Sequence, residues 1–258
     1  MTALPRRRRA LVVLVAAAMA ACVGFAALGI WQVQRLAWKR SLIARVEAHL
    51  QAAPVEAPGP AQWAALTREA DEYRRVRLRG RFLPDAATPV RALTALGSGH
   101  WILTPLRTEQ GGIVLVNRGF VPPQMLKSAR AAPVEGEVEV TGLLRFSEPG
   151  GAFLQPNDPA TERWTSRDVA AIGAARGLAS GATNAPLAPY FVDAEADPRA
   201  PDAWPRPGLT VVRFSNNHLS YAITWFVLAL GSAAAAAFAV ADARRDNAGS
   251  EHEAGVEQ

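Results

Sequence analysis

The chain has 258 residues, half of them apolar, and a formal net charge of +5. Its 28 basic residues are scattered or flank apolar runs rather than forming a stripe interleaved with stacking aromatics, which argues against a nucleic-acid partner. One cysteine, Cys22, and three methionines leave no disulfide framework, no CxxC metal site and little basis for a soft-ligand copper site.

Four arginines, Arg6 to Arg9, precede an uncharged apolar run from Ala10 to Ile30. About twenty residues at 1.5 Å rise cross a hydrocarbon core of roughly 30 Å, so the run predicts a membrane-spanning helix. A cleaved signal peptide shares the basic start, but its apolar region is usually only about 7–15 residues. Met19-Ala20-Ala21-Cys22 resembles a lipoprotein cleavage box, yet the chain stays apolar through Ile30. Nothing beyond the arginines supports a twin-arginine export signal. The run length favours an uncleaved anchor.

A helical extension, Trp31 to Leu50, is expected next. Trp31, Arg35 and Trp38 share one of its faces, and an interfacial belt is the plain explanation for them. The proline-rich stretch Ala53–Pro60 breaks the helix, and a short helix is expected around Gln62–Asp71. Tyr73–Phe82 alternates as a half-buried strand. His100–Thr108 and Ile113–Phe120, joined by Glu109-Gln110-Gly111-Gly112, predict a β-hairpin. Pro105 suggests that its first strand lies at a sheet edge or carries a bulge. Glu137–Phe146 reads as a strand, and Ser166–Arg176 as a helix whose first turn is served by Ser166 or Asp168. Tyr190–Asp193 and Leu209–Phe214 read as strands, and Leu178–Pro189 and Ala194–Gly208 as loops. The expectation for residues 31–218 is an α+β domain on a mainly antiparallel sheet.

A second apolar run, Leu219 to Ala241, matches the first in length. Its block Ala233–Ala237 is weakly hydrophobic, so Phe226, Val227, Leu228, Leu230, Phe238 and Val240 must carry insertion. Gly231, Ser232 and the alanines would let another helix approach closely. The full expectation is a two-span α+β membrane protein: a cytoplasmic basic tail 1–9, spans 10–30 and 219–241, the domain 31–218 between them, and a cytoplasmic tail 242–258. Arg6–Arg9 and Arg244-Arg245 at the outer ends place both tails in the cytoplasm, although Arg35, Lys39 and Arg40 nearly balance the local count. The central domain then faces the periplasm or an intermembrane space.

The polar stretch Asn216-Asn217-His218 opens directly into the second run. Helical spacing puts Tyr221, Ala222 and Trp225 on the face of His218. An imidazole at such a mouth is either a metal or haem ligand or a polar interfacial cap. If the two spans pair, Gln32 and Arg35 meet Asn216, Asn217 and His218 at one depth. Catalytic motifs are missing: no GxSxG, no HExxH and no phosphate-cradling loop before a helix. Asn157-Asp158-Pro159 reads as a turn rather than calcium ligation. The sequence therefore points away from an enzyme.

Five segments in order, ALGIWQVQRLAWKRSLI, LTPLRTEQGGIVLVNRGFVP, VTGLLRFSEPGGAFLQPNDPATERWTSRDVAAI, PYFVDA and GLTVVRFSNNHLSYAITWFVLAL, resemble the Surfeit-locus assembly factors, the Surf/Shy family. The likeness runs from about Ala27 to Leu230, with one departure: Phe120 stands where the family pattern has tryptophan. The resemblance implies a bacterial member in the inner membrane that assists assembly of a haem-copper cytochrome c oxidase of the respiratory chain. It implies binding of haem a and its delivery to oxidase subunit I, beside the haem a synthase. The proposed haem ligand of the family corresponds to His218. The positive end of the helix dipole there disfavours an imidazolium. Tyr221, Trp225 and Trp31 would line an apolar slot, and Arg35 would meet a propionate. A scaffold that stabilises subunit I without touching haem is the alternative.

Overall fold

Nothing between Arg6 and Gln51 breaks a helix: the stretch holds no proline and two glycines. Accordingly α1 (Arg6–Gln51) continues well past the apolar run, through the predicted extension, and stops three residues before Pro54. At the other end of the chain α5 (His218–Val256) opens with His218 as its first residue, and the Tyr221 amide bonds back to the Asn217 carbonyl at 3.2 Å. Both helices contain a stretch long and apolar enough to cross a membrane. The computed structural model describes residues 6–131, 136–151, 155–178, 185–200, 202–209 and 216–256. The strand expected over Leu209–Phe214 falls almost wholly outside these.

The intervening chain forms β1 (Val55–Glu56), α2 (Arg68–Asp71), β2 (Arg75–Phe82), β3 (Thr88–Thr94), β4 (Gly97–Thr108), β5 (Ile113–Val121), α3 (Leu126–Ala131), β6 (Val138–Phe146), α4 (Val169–Ala175) and β7 (Leu187–Ala194). Short 3-10 turns separate several of them. The strands form one sheet in the order β1-β2-β6-β7-β5-β4-β3, and β2 also pairs with β4. That extra pairing joins Phe82 to Leu106 and Gly80 to Thr108, so β2, β6, β7, β5 and β4 close into a ring. The sheet is mixed rather than simply antiparallel. β1 runs parallel to β2, and β7, which follows β6 through α4 and is antiparallel to it, lies between β6 and β5 and runs parallel to β5.

Alternation sets the two faces. On β2, Val76 and Leu78 are buried while Arg75, Arg77 and Arg79 point outward to Glu195, Glu56 and Glu139. Val76 and Leu78 join Leu106, Val114, Val116, Leu144, Tyr190 and Val192 in one core cluster. The opposite face of β5 places Ile113 and Leu115 with Leu103, Trp164, Ile172 and Phe191 in a second cluster that includes α4. β5 is therefore buried on both faces, which explains its unbroken Ile-Val-Leu-Val run. Phe120 is fully buried and meets Trp101 edge-on at 6.0 Å, so phenylalanine fills the position where the resemblance led to tryptophan.

The expected hairpin is β4–β5, but β4 is a central strand, paired with β3 through its first half and β2 through its second. Pro105 falls between the last β3 pair, at Leu103, and the first β2 pair, at Leu106. A missing N–H is tolerated at that handover. The bulge in this hairpin lies elsewhere: Arg118 and Gly119 of β5 together oppose Ile102. Strands β1 and β3 were not foreseen. α4 is shorter than expected, and Asp168 rather than Ser166 caps it, accepting from the Ala171 amide at 3.1 Å. Ser166 instead donates to the Glu148 carbonyl at 2.7 Å. Asn157 accepts from the Thr165 and Ser166 amides, which is turn chemistry.

The chain divides into two units, Met1–Ala44 with Arg213–Gln258, and Arg45–Val212.

Candidate cofactor-binding site

Within the helical unit, small side chains fix where α1 and α5 meet. Ala222, Ala229 and Ala236 recur every seven residues on α5 and are 2%, 7% and 4% exposed. On α1, Gly29 lies against the Phe226 ring, where an added Cβ would come within 2.7 Å of it. Phe25 of α1 stacks on Trp225 of α5, with ring centroids 5.6 Å apart. The close approach thus falls on Gly29 and the alanines. Gly231 faces away with nothing near it, and the Ser232 hydroxyl is spent on the Leu228 carbonyl.

At the N-terminal end of α5 this packing brings His218 to Gln32. Nδ1 of His218 lies 2.7 Å from the side-chain oxygen of Gln32, which is itself buried. With that oxygen as acceptor, Nδ1 carries a hydrogen, and in the neutral ring the lone pair then lies on Nε2. The ring has no second hydrogen bond among the described residues. This is the arrangement by which a second group orients an imidazole ligand.

The other expected residues are placed as follows. Trp225 is half-buried by its stack on Phe25. Tyr221 and Trp31 are each about half exposed, so they present aromatic surface on the outside of the helices rather than walls of a closed slot. Arg35 folds its guanidinium over the Trp38 ring at 3.9 Å and has no ion pair among the described residues. That fits the shared face expected for Arg35 and Trp38. No group of three or more metal-ligating side chains occurs among the described residues.

The sheet unit holds a polar cluster that sequence spacing did not disclose. Asp193 of β7, 2% exposed, accepts from Asn117 at 2.8 Å, Arg145 at 3.1 Å and Arg167 at 3.2 Å. Arg167 also forks onto Glu148 at 2.6 and 3.0 Å. Burial works to raise the Glu148 carboxyl, but hydrogen bonds and charge from Arg167, with Arg145 behind it, outweigh burial and hold it below the ordinary carboxylate range. The Phe191 ring lies beneath the Arg167 guanidinium at 4.8 Å. These residues come from β5, β6, β7 and the turns around α4, so only the sheet order brings them together. The cluster's cations and anions neutralise one another, which marks it as a clamp across strands rather than a reactive site.

Residues 19–230 of the chain match a known family model, described as the SURF1 family. The chain belongs to the SURF1 family. It is 34% identical over 221 residues to Surfeit locus protein 1 of Homo sapiens, covering 78% of this chain and 69% of the human protein. It is 36% identical over 214 residues to a SURF1-like protein of Monosiga brevicollis, covering 77% of each. A SURF1-like protein of Drosophila melanogaster is 35% identical over 222 residues. The SURF1 match takes in Gln32, His218 and the whole Asp193 cluster.

Proposed function

We propose that this SURF1-family chain is a membrane-anchored assembly factor for a haem-copper cytochrome c oxidase, binding haem a through His218 and helping to deliver it to subunit I beside the haem a synthase. The observation that carries the reading is the 2.7 Å contact of His218 Nδ1 with Gln32, which leaves Nε2 as the available donor. An imidazole fixed by one nitrogen and open at the other suits a haem iron, the electron-carrying centre that the client oxidase requires. Gln32 sets the tautomer and the ring plane. Trp31 and Tyr221 offer exposed aromatic surface to an apolar macrocycle. The Arg35 guanidinium, free of carboxylate partners among the described residues, suits a propionate. Nothing in this role calls for catalysis by the chain.

In the same reading α1 and α5 both cross the bacterial inner membrane. Their arginine-bearing outer ends, Arg6–Arg9 and Arg244-Arg245, lie in the cytoplasm, and residues 31–218 lie in the periplasm.

The test is an absorption spectrum of the purified full chain co-expressed with a haem a pathway. The wild-type protein should carry a haem signal, and His218→Ala should lose it at unchanged protein level and membrane insertion. A coloured His218→Ala protein removes the ligand assignment. The half-exposed Tyr221 and Trp31, which wall no closed slot, favour a second reading: a scaffold that holds subunit I and never touches haem. Colourless wild-type protein that still co-purifies with oxidase subunits decides for the scaffold.

A further inference from the structure

Arg118 sits where the ring of strands opens. Val114, Val116 and Arg118 alternate along β5, and the two valines belong to the core inside the ring. The bulge that sets Arg118 and Gly119 against Ile102 lies at this rim. Bulges at barrel rims re-aim side chains and recur beside functional sites. Here Arg118 lines a cleft of about 730 Å³, within the size range of small-molecule sites. The cleft's apolar lining includes Phe82, Val138 and Val140, with the buried Val116 behind them.

One side of the cleft is formed by residues of 195–200 and 203–207. It is fastened to β5 by reciprocal backbone bonds between Phe120 and Arg206, both 2.8 Å. Gly119 (φ +130°) permits this: a Cβ there would stand 2.3 Å from the Arg206 backbone. The strap therefore depends on the glycine beside the arginine.

The Arg118 guanidinium has no hydrogen bond and no ion pair among the described residues, and its buried Nη1 is unpartnered. Its closest aromatic neighbour is Phe82, 5.6 Å away. Desolvation lowers its proton affinity, the expected sign for a cation buried without a counter-charge. The acids lining the cleft are committed elsewhere. Glu195 is forked by Arg75 at 2.7 Å, Glu139 is held by Arg79 at 2.8 Å, and Asp197 accepts from the Arg199 amide at 2.9 Å. A half-buried guanidinium whose Nη1 is shut away from water without an acceptor is unfavourable until an anion supplies one.

We infer that the barrel mouth binds an organic carboxylate carried on an apolar body, its carboxylate on the Arg118 guanidinium and its body on Phe82 and the valines. A carboxylate fits better than a phosphate. One charge matches the one partly buried guanidinium without a partner among the described residues, since Arg199, the other unpaired arginine of the lining, is exposed, whereas a dianion would face Glu139, Glu195 and Asp197. The planar fork pairs with carboxylate oxygens in bidentate fashion. A free organic acid and the C-terminus of a polypeptide offer the same chemistry.

The test is ligand-observed NMR on the full chain in detergent, with 3-phenylpropionate, its neutral amide, and an acetylated Val-Phe dipeptide ending in a free carboxylate. At least one of the acids should bind, and the amide should bind about tenfold more weakly or less, the loss expected for a charge-assisted hydrogen bond. Binding of the small acid alone, or of the dipeptide as well, identifies the source. Arg118→Met should weaken acid binding by about tenfold or more while raising the melting temperature, because a half-buried charge without a partner is removed. No binding by either acid, equal binding of acid and amide, or undiminished acid binding in Arg118→Met overturns the inference. If Arg118→Met fails to fold, the comparison of acid with amide on the wild-type chain decides alone.

Discussion

Nδ1 of His218 stands 2.7 Å from the Gln32 side-chain oxygen although 186 positions separate the two residues in the chain. The contact connects the start of α5 with α1 and orients the histidine that opens α5. Groups that orient an imidazole in this way typically change metal affinity by about 10–100-fold when removed. On the proposed haem-binding reading, Gln32→Leu is expected to weaken haem binding by roughly that factor while leaving His218 itself in place. Haem titration followed by absorbance measures it. An affinity equal to wild type would leave Gln32 with no orienting role. His49, whose ring meets the Glu72 carbonyl at 3.2 Å in the sheet unit, is the control; His49→Ala should leave the titration unchanged.

The pairing of α1 with α5 makes a second prediction. Phe25 and Trp225 stack with centroids 5.6 Å apart. After replacement of Cys22 by serine, cysteines at Phe25 and Trp225 should be joined by a short bis-maleimide. Cysteines at Val23 and Leu230, both exposed, should not. Enlarging Gly29 to leucine should suppress the crosslink, since even a Cβ there meets the Phe226 ring. A crosslink that survives Gly29→Leu would show that the helices do not meet through this face.

The sequence disclosed elements whose signal is local. Unbroken apolar runs marked α1 and α5, alternation marked β2, and a glycine turn between β-branched runs marked β4–β5. Gln32 and His218 were both visible as polar groups beside apolar runs, and placing them at one depth needed only the assumption that the helices pair. What stayed hidden depends on sheet order. Closure of the ring rests on β2 meeting β4 as well as β6, which no spacing announces. The Asp193 cluster gathers Asn117, Arg145, Glu148 and Arg167 from separate segments. Pro105 suggested an edge because its missing N–H is usually excused by solvent; here a handover between two neighbouring strands excuses it. Arg118 looked like one more scattered arginine because its distinction is the lack of a partner, a property of the fold and not of the residue.

Asp193 gives a third prediction. It is 2% exposed and shared by Asn117, Arg145 and Arg167. Asp193→Ala leaves two guanidinium groups short of their common acceptor and should destabilise the sheet unit by about 3–5 kcal/mol, the usual effect of breaking a buried charge pair. Asp193→Asn keeps the shape and one acceptor oxygen and should lose less. Denaturant unfolding of the full chain, followed by tryptophan fluorescence, measures both. An Asp193→Ala protein as stable as wild type would mean that the arginines find water or other acceptors without loss.

Glu148 sets the pH dependence of the same clamp. Burial alone would raise its carboxyl, but Arg167, assisted by Arg145, holds the folded-state value below the ordinary 4.5. A carboxyl depressed on folding contributes stability that is fully present above its unfolded value and is lost as pH falls through the folded one. The melting temperature should thus be insensitive to Glu148 near neutrality and decline below about pH 4.5, as Glu148 protonates and releases the Arg167 fork. Glu148→Gln cannot take up that proton. It should melt lower than wild type at pH 7, and the gap should narrow as the pH is taken from 5 towards 3. Melting curves of both proteins across that range make the comparison. A gap that stays constant, or widens in acid, would mean that the contribution of Glu148 is packing and not its charge.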